Sequence, residues 1–241
     1  MGDLLTLILA GVLAFISGLA FFWILALILL GVLVVAFGIG IGIWQNLYYR
    51  ISESYCHILM KRAYDEEWTK HNYDKALEYY YKSLRFSHTM SDDASIYSNI
   101  GRMYFLKEDI IEYAYENKSN TKQAIEYLKK AMEIYQRIGN YGETAQKMTS
   151  IASSYTKLKN FSEAEHYLAQ GLEMAKKYLD MAKKSDDKEG EVNAYKMLGQ
   201  IYSEQNQEAL SKEYYTKAYD LLKLIGDDRN AHWVYEFHLK Q

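Results

Sequence analysis

The sequence predicts an all-α protein in which an N-terminal transmembrane helical hairpin precedes an α-solenoid that ends in a capping helix. Three observations lead to this prediction. The 241 residues include no proline, the residue that most disrupts helix interiors. An uncharged, strongly apolar segment runs from Leu4 to Trp44. Beyond it, one spacing of small and large residues returns several times along the chain.

The apolar segment within residues 1–45 is long enough for two membrane spans. A helix of about 40 residues would measure roughly 60 Å, whereas the hydrocarbon core is about 30 Å thick and needs about 20 residues. Two spans, residues 4–22 and 24–44, would place Trp23 and Trp44 at opposite interfaces, where Trp is favoured. No Asn, Asp or Pro marks a turn near Trp23, so a single tilted span with an interfacial extension is the alternative.

Small residues recur along the predicted spans at spacings of four and seven, which keep them on one helix face. They are Ala10, Ala14, Gly18, Gly31, Gly38 and Gly42. Such faces let helix backbones approach closely in lipid. We therefore predict that these residues pack the two spans together or pack them against another membrane subunit.

Basic residues near the end of the apolar segment predict its orientation. Arg50, Lys61 and Arg62 follow the segment, and no Lys or Arg precedes it. Because basic residues favour the cytoplasmic side, we expect the soluble domain, residues 46–241, to lie in the cytoplasm. The sequence thus predicts an integral membrane protein that also contacts membrane lipid.

The repeated spacing predicts pairs of helices. The clearest copy is Leu198-Gly199 followed by Tyr202, and then Ser211 with Tyr215. Other copies begin at Ile151 and Ile100, and a half-copy begins at Ala76. A small residue beside a large aliphatic one lets a second helix cross closely, and a residue three positions on falls on the same face. Each pair leaves apolar surface uncovered, so the pairs are expected to stack.

These residues resemble the tetratricopeptide repeat family, in a variety with longer helices. The resemblance implies units near residues 57–89, 94–138, 145–185 and 192–226, with a cap at residues 228–241. The family's proline after the second helix is missing. Gly139 in "RIGN" and Gly226 in "LIGD" stand in its place, and glycine readily adopts the left-handed conformation that ends a helix.

The resemblance also implies a groove, lined by the first helix of each unit, that binds protein partners. Carried over position by position, it predicts a mostly polar groove with one apolar step. The predicted lining residues are Ser98, Arg102, Phe105 and Leu106 in one unit, Thr149, Ser153, Thr156 and Lys157 in the next, and Lys196, Gln200 and Glu204 in the last.

Composition and motifs argue against several other classes of protein. The net charge is −3 and no basic stripe is present, which disfavours nucleic acid as a partner. The one cysteine, Cys56, excludes an internal disulfide. The six histidines lack metal-ligand spacing, and no phosphate-binding or nucleophile motif occurs. We therefore expect no catalytic, cofactor or metal site and no enzymatic activity.

Two binding functions follow from these predictions. The first is a membrane-anchored scaffold or adaptor that recruits or organises partner proteins at the cytoplasmic face, where anchoring raises their effective concentration. The alternative is a non-catalytic accessory or assembly subunit of a multi-subunit membrane enzyme complex. Copurification at fixed stoichiometry would distinguish the second from the first.

Overall fold

The computed structural model describes residues 2–110 and 119–240, and within them the side-chain surroundings of residues 29–35, 37–107 and 119–240. Every regular element in the described ranges is helical. The chain divides into two units, Met1–Ser52 and Glu53–Gln241. The prediction of an all-α chain is confirmed.

The first helix, α1, is uninterrupted from Gly2 to Trp68. The predicted hairpin is therefore wrong: residues 4–22 and 24–44 belong to one helix, and the predicted boundary near residue 45 falls inside it. The physical reason is the absence of a helix breaker. Residues near Trp23 are apolar and continue the backbone hydrogen bonding, and proline is lacking. One continuous helix agrees with the alternative of a single span, and the tilted membrane span with an interfacial extension stays a prediction.

The described apolar side chains of α1 between residues 29 and 44 are exposed; Leu33 is 65% and Phe37 is 73% accessible. Among the residues with described side chains, the segment Leu29–Trp68 is long and apolar enough to cross a membrane, judged by length and composition. No described atom lies within 4 Å of where a Cβ would stand at the predicted packing positions Gly31, Gly38 and Gly42. Three other predicted positions, Ala10, Ala14 and Gly18, lie outside the residues whose side-chain surroundings are described.

The second unit is a stack of helix pairs. Its helices after α1 are α2 (Tyr73–Leu84), α3 (Met90–Ile110), α4 (Ser119–Arg137), α5 (Tyr141–Lys157), α6 (Phe161–Lys184), α7 (Lys188–Glu204), α8 (Glu208–Leu224) and α9 (Asp228–Val234), followed by a π-helical turn, Tyr235–Leu239. The main packing joins α3 to α4, α5 to α6 and α7 to α8, and each pair also packs on the next. The C-terminal part of α1 pairs with α2 to form the first helix pair. Cys56 and Ala63 of α1 are buried in one cluster with Ala76 and Tyr80 of α2.

The repeated small residues stand where paired helices cross. A Cβ built at Gly199 of α7 would lie 2.9 Å from the Tyr215 ring of α8, closer than any real contact. One at Gly101 of α3 would lie 2.8 Å from the Leu128 side chain of α4. The Ser211 hydroxyl donates a hydrogen bond to the Gly199 carbonyl at 2.8 Å. The small residues of the spacing seen in the sequence therefore lie at the points where paired helices cross.

Stacked tyrosines join the two helices of each pair, which accounts for many of the 24 tyrosines in the chain. The equivalent pairs are Tyr104–Tyr127 at 5.9 Å, Tyr155–Tyr167 at 5.7 Å and Tyr202–Tyr214 at 5.3 Å between ring centroids. All three are near parallel, and such aromatic pairs contribute about 0.5–1.5 kcal/mol beyond their buried area.

Several turns between helices use one device, a left-handed residue followed by an N-cap. Gly139 and Gly226 have φ of 74° and 79°, which confirms the predicted helix stops. Lys159 takes the same conformation, with φ of 57°, although it carries a side chain. The caps that follow, Asn140 and Asn160, each accept a hydrogen bond from the backbone N–H three residues on. Each cap satisfies one N–H that the helix leaves unpaired.

Exchanging the residues of two equivalent turns is expected to change stability in opposite directions. A side chain in the left-handed conformation costs about 1–2 kcal/mol, and the extra flexibility of glycine in the unfolded chain offsets part of this. Lys159→Gly should therefore raise the free energy of unfolding by about 0.5–1 kcal/mol, and Gly139→Lys should lower it by a similar amount. Urea unfolding followed by helical circular dichroism measures both, and shifts of the same sign would contradict this account.

Candidate protein-binding groove

Two adjoining cavities lie along the first helices of successive pairs. Cavity 1, of about 610 Å³, is bounded mainly by α3 and α5. Cavity 2, of about 570 Å³, is bounded by α5, α7 and the C-terminal cap. Both include Glu143 and Gln146 in their walls, so they are neighbouring sections of one groove.

Most of the predicted groove residues lie in these walls. Cavity 1 is lined by Ser98, Arg102, Phe105, Leu106 and Ser153. Lys196 and Gln200 line cavity 2. These positions follow a helical face because they recur at spacings of three and four. Their role in binding stays a prediction, since the geometry establishes only where they are.

The prediction that Thr149 lines the groove is wrong. Its side chain is 3% exposed, and its hydroxyl donates to the Ala145 carbonyl at 3.0 Å. The face that α5 presents to the groove is rotated from the predicted one and runs through Glu143, Lys147 and Ser150. The spacing of three and four was visible in the sequence, but it does not say which face of α5 meets α3.

Three other predicted residues lie beyond the two cavities. Thr156 and Glu204 line a separate recess of about 480 Å³ beside Phe161. The Lys157 ammonium lies 3.4 Å from the centre of the Phe105 ring, at the edge of cavity 1. Cations are attracted to aromatic faces, so Lys157 closes this end of cavity 1 and covers part of the apolar step.

An ion pair holds Arg102 in the wall of cavity 1. Its guanidinium makes a two-pronged contact with Glu67 of α1, of which the Nη2–Oε2 arm measures 3.0 Å, and it also donates to Asn99 at 3.0 Å. The Glu67 side chain is 3% exposed, whereas that of Arg102 is 36% exposed. Burial raises the pKa of Glu67, and the nearby Arg102 charge opposes this effect. Arg102 therefore serves both as partner to a buried carboxylate and as the exposed cation of the groove.

A second charge pair, missed by the sequence analysis, lies at the junction of the two cavities. Lys147 Nζ is 3.3 Å from a Glu143 carboxylate oxygen, and the Lys147 side chain is 10% exposed. Burial lowers the pKa of Lys147, and Glu143 partly counteracts it. Because each cation here has its own carboxylate, this part of the groove is nearly neutral.

The C-terminal cap supplies two further residues that sequence analysis missed. Trp233 and His238 line cavity 2, although the sequence assigned this segment only to covering the last helix pair. The His238 ring stacks on Tyr215 at 3.8 Å between centroids, with an 8° angle between the planes. Burial and the charge of Lys196 lower the pKa of His238 below its ordinary value of 6.5. Both effects favour the neutral form of the ring.

The described residues contain no group of three or more His, Cys, Asp or Glu side chains that could hold a metal ion. Cys56 is buried and unbridged. The groove offers hydrogen-bonding side chains, aromatic faces and the cations Arg102, Lys147 and Lys196 to a bound group.

Comparison with known proteins identifies the repeats. Tetratricopeptide repeat models match residues 113–177 and residues 192–221. Regulatory protein RapK of Bacillus subtilis (strain 168) is 27% identical over 169 residues, which is 68% of this chain and 39% of RapK. The chain thus spans less than half the length of this curated relative.

Several solved structures show a similar arrangement of helices. The apo form of RapI matches with a TM-score of 0.46 at 14% identity, over 70% of this chain and 56% of RapI. BtubC (BKLC) from P. vanneervenii matches with a TM-score of 0.47 at 15% identity, over 79% and 83% of the two chains. A Rap protein complexed with competence and sporulation factor gives 0.47 at 16% identity, over 77% and 53%.

The two matched models cover residues that form the α5–α6 and α7–α8 pairs, and these pairs carry the small-residue crossings described above. Sequence match, helix pairing and crossing residues agree. The chain therefore carries tetratricopeptide repeats within residues 113–177 and 192–221.

Proposed function

We propose that this protein is a membrane-anchored adaptor that binds an extended segment of a partner protein in the groove formed by cavities 1 and 2. The observation that carries the proposal is the run of exposed and half-buried polar side chains, with Phe105 among them, along the first helices of successive pairs. Such a groove offers binding without a reacting group. The mechanism is stoichiometric capture, made more effective by anchoring.

The exposed apolar part of α1 supports the membrane anchor. About 20 residues suffice to span the hydrocarbon core, and α1 offers a longer apolar stretch ending near Trp44. The side chains described there, such as Leu33 and Phe37, are exposed and would face lipid. Arg50 and Lys61 follow the span, so we propose that the groove lies on the cytoplasmic side.

The relatives support a regulatory binding role. RapK is called a regulatory protein, and its likeness covers 68% of this chain. We carry over only the idea that the repeats regulate by binding. The following experiment would identify the partner.

Gentle detergent extraction of the tagged full-length protein, followed by mass spectrometry, tests the adaptor. Phe105→Asp places a charge on the apolar step of cavity 1 and should deplete the bound partner at least about tenfold, as loss of a binding hot spot does. Ile138→Asp is the matched control, since Ile138 is an accessible apolar residue, 42% exposed, that lies outside both cavities. Equal recovery of every partner with both variants would sink the proposal.

The alternative, an accessory subunit of a membrane complex, is favoured by the open glycine face of α1. Gly38 and Gly42 form a GxxxG pattern with no described atom near the missing Cβ positions, as close packing on another membrane helix requires. If this function is correct, membrane proteins will copurify at fixed stoichiometry and be lost with Gly38→Leu. Recovery of soluble partners alone, unaffected by Gly38→Leu, would favour the adaptor.

A further inference from the structure

The C-terminal cap does more than cover the last helix pair. Ala231 and Val234 are buried against α8, at 1% and 0% exposure, and perform the covering. Trp233, between them in sequence, is 44% exposed and lies in the wall of cavity 2. A large aromatic side chain left accessible inside a concave wall is available to contact a bound segment.

The π-helical turn places a second aromatic ring in the same wall. The wider turn is marked by the Lys240 N–H donating to the Tyr235 carbonyl at 2.9 Å. His238 projects from this turn onto the Tyr215 ring, and its own ring lies 5.2 Å from that of Trp233 at an angle of 66°. π-Helical turns are rare and frequently occur at functional sites. Here the turn assembles three aromatic rings around one end of the groove.

Lys196 gives cavity 2 its charge. Its ammonium lies 5.3 Å from the centre of the Trp233 ring. Within the described part of the chain no carboxylate lies within ion-pair distance of Lys196, in contrast to Arg102 and Lys147 in the rest of the groove. The acidic residue of this cavity, Glu143, pairs with Lys147. The charge of Lys196 helps to lower the pKa of Asp227, but Asp227 does not line cavity 2. Among the described residues, cavity 2 therefore presents a cation that forms no ion pair beside an accessible aromatic face.

We propose that cavity 2 is the specificity pocket of the groove and that it takes an aromatic side chain of a bound peptide, with a peptide carboxylate one or two residues away held by Lys196. The peptide ring would pack on Trp233 beside His238, in the offset or edge-on arrangement that aromatic groups prefer. A lysine or arginine in this position would be repelled by Lys196. The inference rests on the proposed function, since it specifies which segment the groove selects.

Selection from a peptide library by the full-length protein in detergent tests the pocket. The probe is a set of immobilised random nonapeptides in which one position at a time is fixed as each amino acid. We expect enrichment of Phe, Tyr or Trp together with Asp or Glu one or two positions away. Trp233→Ala should reduce the aromatic enrichment at least about tenfold, and Lys196→Glu should replace the acidic preference by a basic one.

Two matched controls keep the test independent of folding. Tyr235 is an exposed aromatic residue of the same cap, 44% accessible, outside cavity 2 and packed on Tyr219, and Tyr235→Ala should leave the selection unchanged. Lys217 also lies over a tyrosine ring but outside the groove, and Lys217→Glu should likewise have no effect. If Phe105→Asp abolishes selection but the selected peptides show no aromatic or acidic preference, the specificity proposed for cavity 2 is wrong and the adaptor function is still supported. The absence of any selected peptide overturns both.

Discussion

Replacing Arg102 by methionine is expected to lower the free energy of unfolding by about 3 kcal/mol at pH 7. The Glu67 carboxylate, 3% exposed, would lose the guanidinium that neutralises it and keep only weaker contacts such as the Tyr80 hydroxyl at 3.4 Å. Removing one partner of a buried ion pair costs about 3–5 kcal/mol, and the partial exposure of Arg102 favours the lower end. Urea unfolding at several pH values measures the effect.

The pH dependence identifies the cause. In the folded protein burial raises the pKa of Glu67 above its ordinary value of 4.5, and loss of the Arg102 charge would raise it further. A group whose folded pKa is raised binds its proton more tightly in the folded state, so stability is lost as pH rises through that pKa. The penalty of Arg102→Met should therefore shrink as the pH falls from 7 towards 4.5. A penalty that is constant with pH would contradict this explanation.

Two variants control for the general effect of removing a charge. Arg137 lies exposed in the last turn of α4, and Arg137→Met should change stability by no more than about 0.5 kcal/mol. The double variant Glu67→Gln with Arg102→Met removes both charges and should recover much of the loss, because a buried amide costs less than an unpaired carboxylate. Failure of the double variant to recover would place the damage in packing rather than in charge.

Replacing Gly199 by valine is expected to lower the free energy of unfolding by about 2–3 kcal/mol. Even a single Cβ at this position would stand 2.9 Å from the Tyr215 ring, and overpacking of a filled core costs about 1–3 kcal/mol. The ring cannot move freely because His238 stacks on its face. The same variant should therefore also disturb cavity 2. Circular dichroism melts measure the loss of stability, and the library selection measures the change in cavity 2.

The outcome is informative because glycine is itself a poor helix former. In an open helix, removing a glycine usually gains up to about 1 kcal/mol. Ser203→Val, at an exposed position on the same helix, provides the matched control and should change stability by about 0.5 kcal/mol or less. A stabilised Gly199→Val variant would show that α7 and α8 do not need their close approach.

Local spacing predicted the repeats well because the features that define them are themselves local. A helix pair needs a small residue at its crossing, and Gly101 and Gly199 lie there. A turn that reverses the chain needs a residue that tolerates a left-handed backbone, and Gly139 and Gly226 provide it. Lys159 shows the limit of this reasoning, since it adopts the same conformation without a residue type that announces it.

The hairpin prediction failed for an equally physical reason. It compared the length of the apolar segment with the thickness of a bilayer and inferred a turn that no residue encodes. Backbone hydrogen bonding favours continuing a helix wherever nothing interrupts it, and α1 runs unbroken to Trp68. Segment length alone does not supply a turn.

By itself, the sequence determined the helical class, the type of repeat and the order of the helix pairs, since each depends on residues close together in the chain. Only the tertiary structure decided which face of α5 meets the groove and that Thr149 is buried. It also decided that Glu67 reaches Arg102 across 35 positions and that Trp233 and His238 of the cap complete cavity 2. These are contacts between distant segments, and they depend on how successive helices rotate and cross, which helical periodicity does not encode.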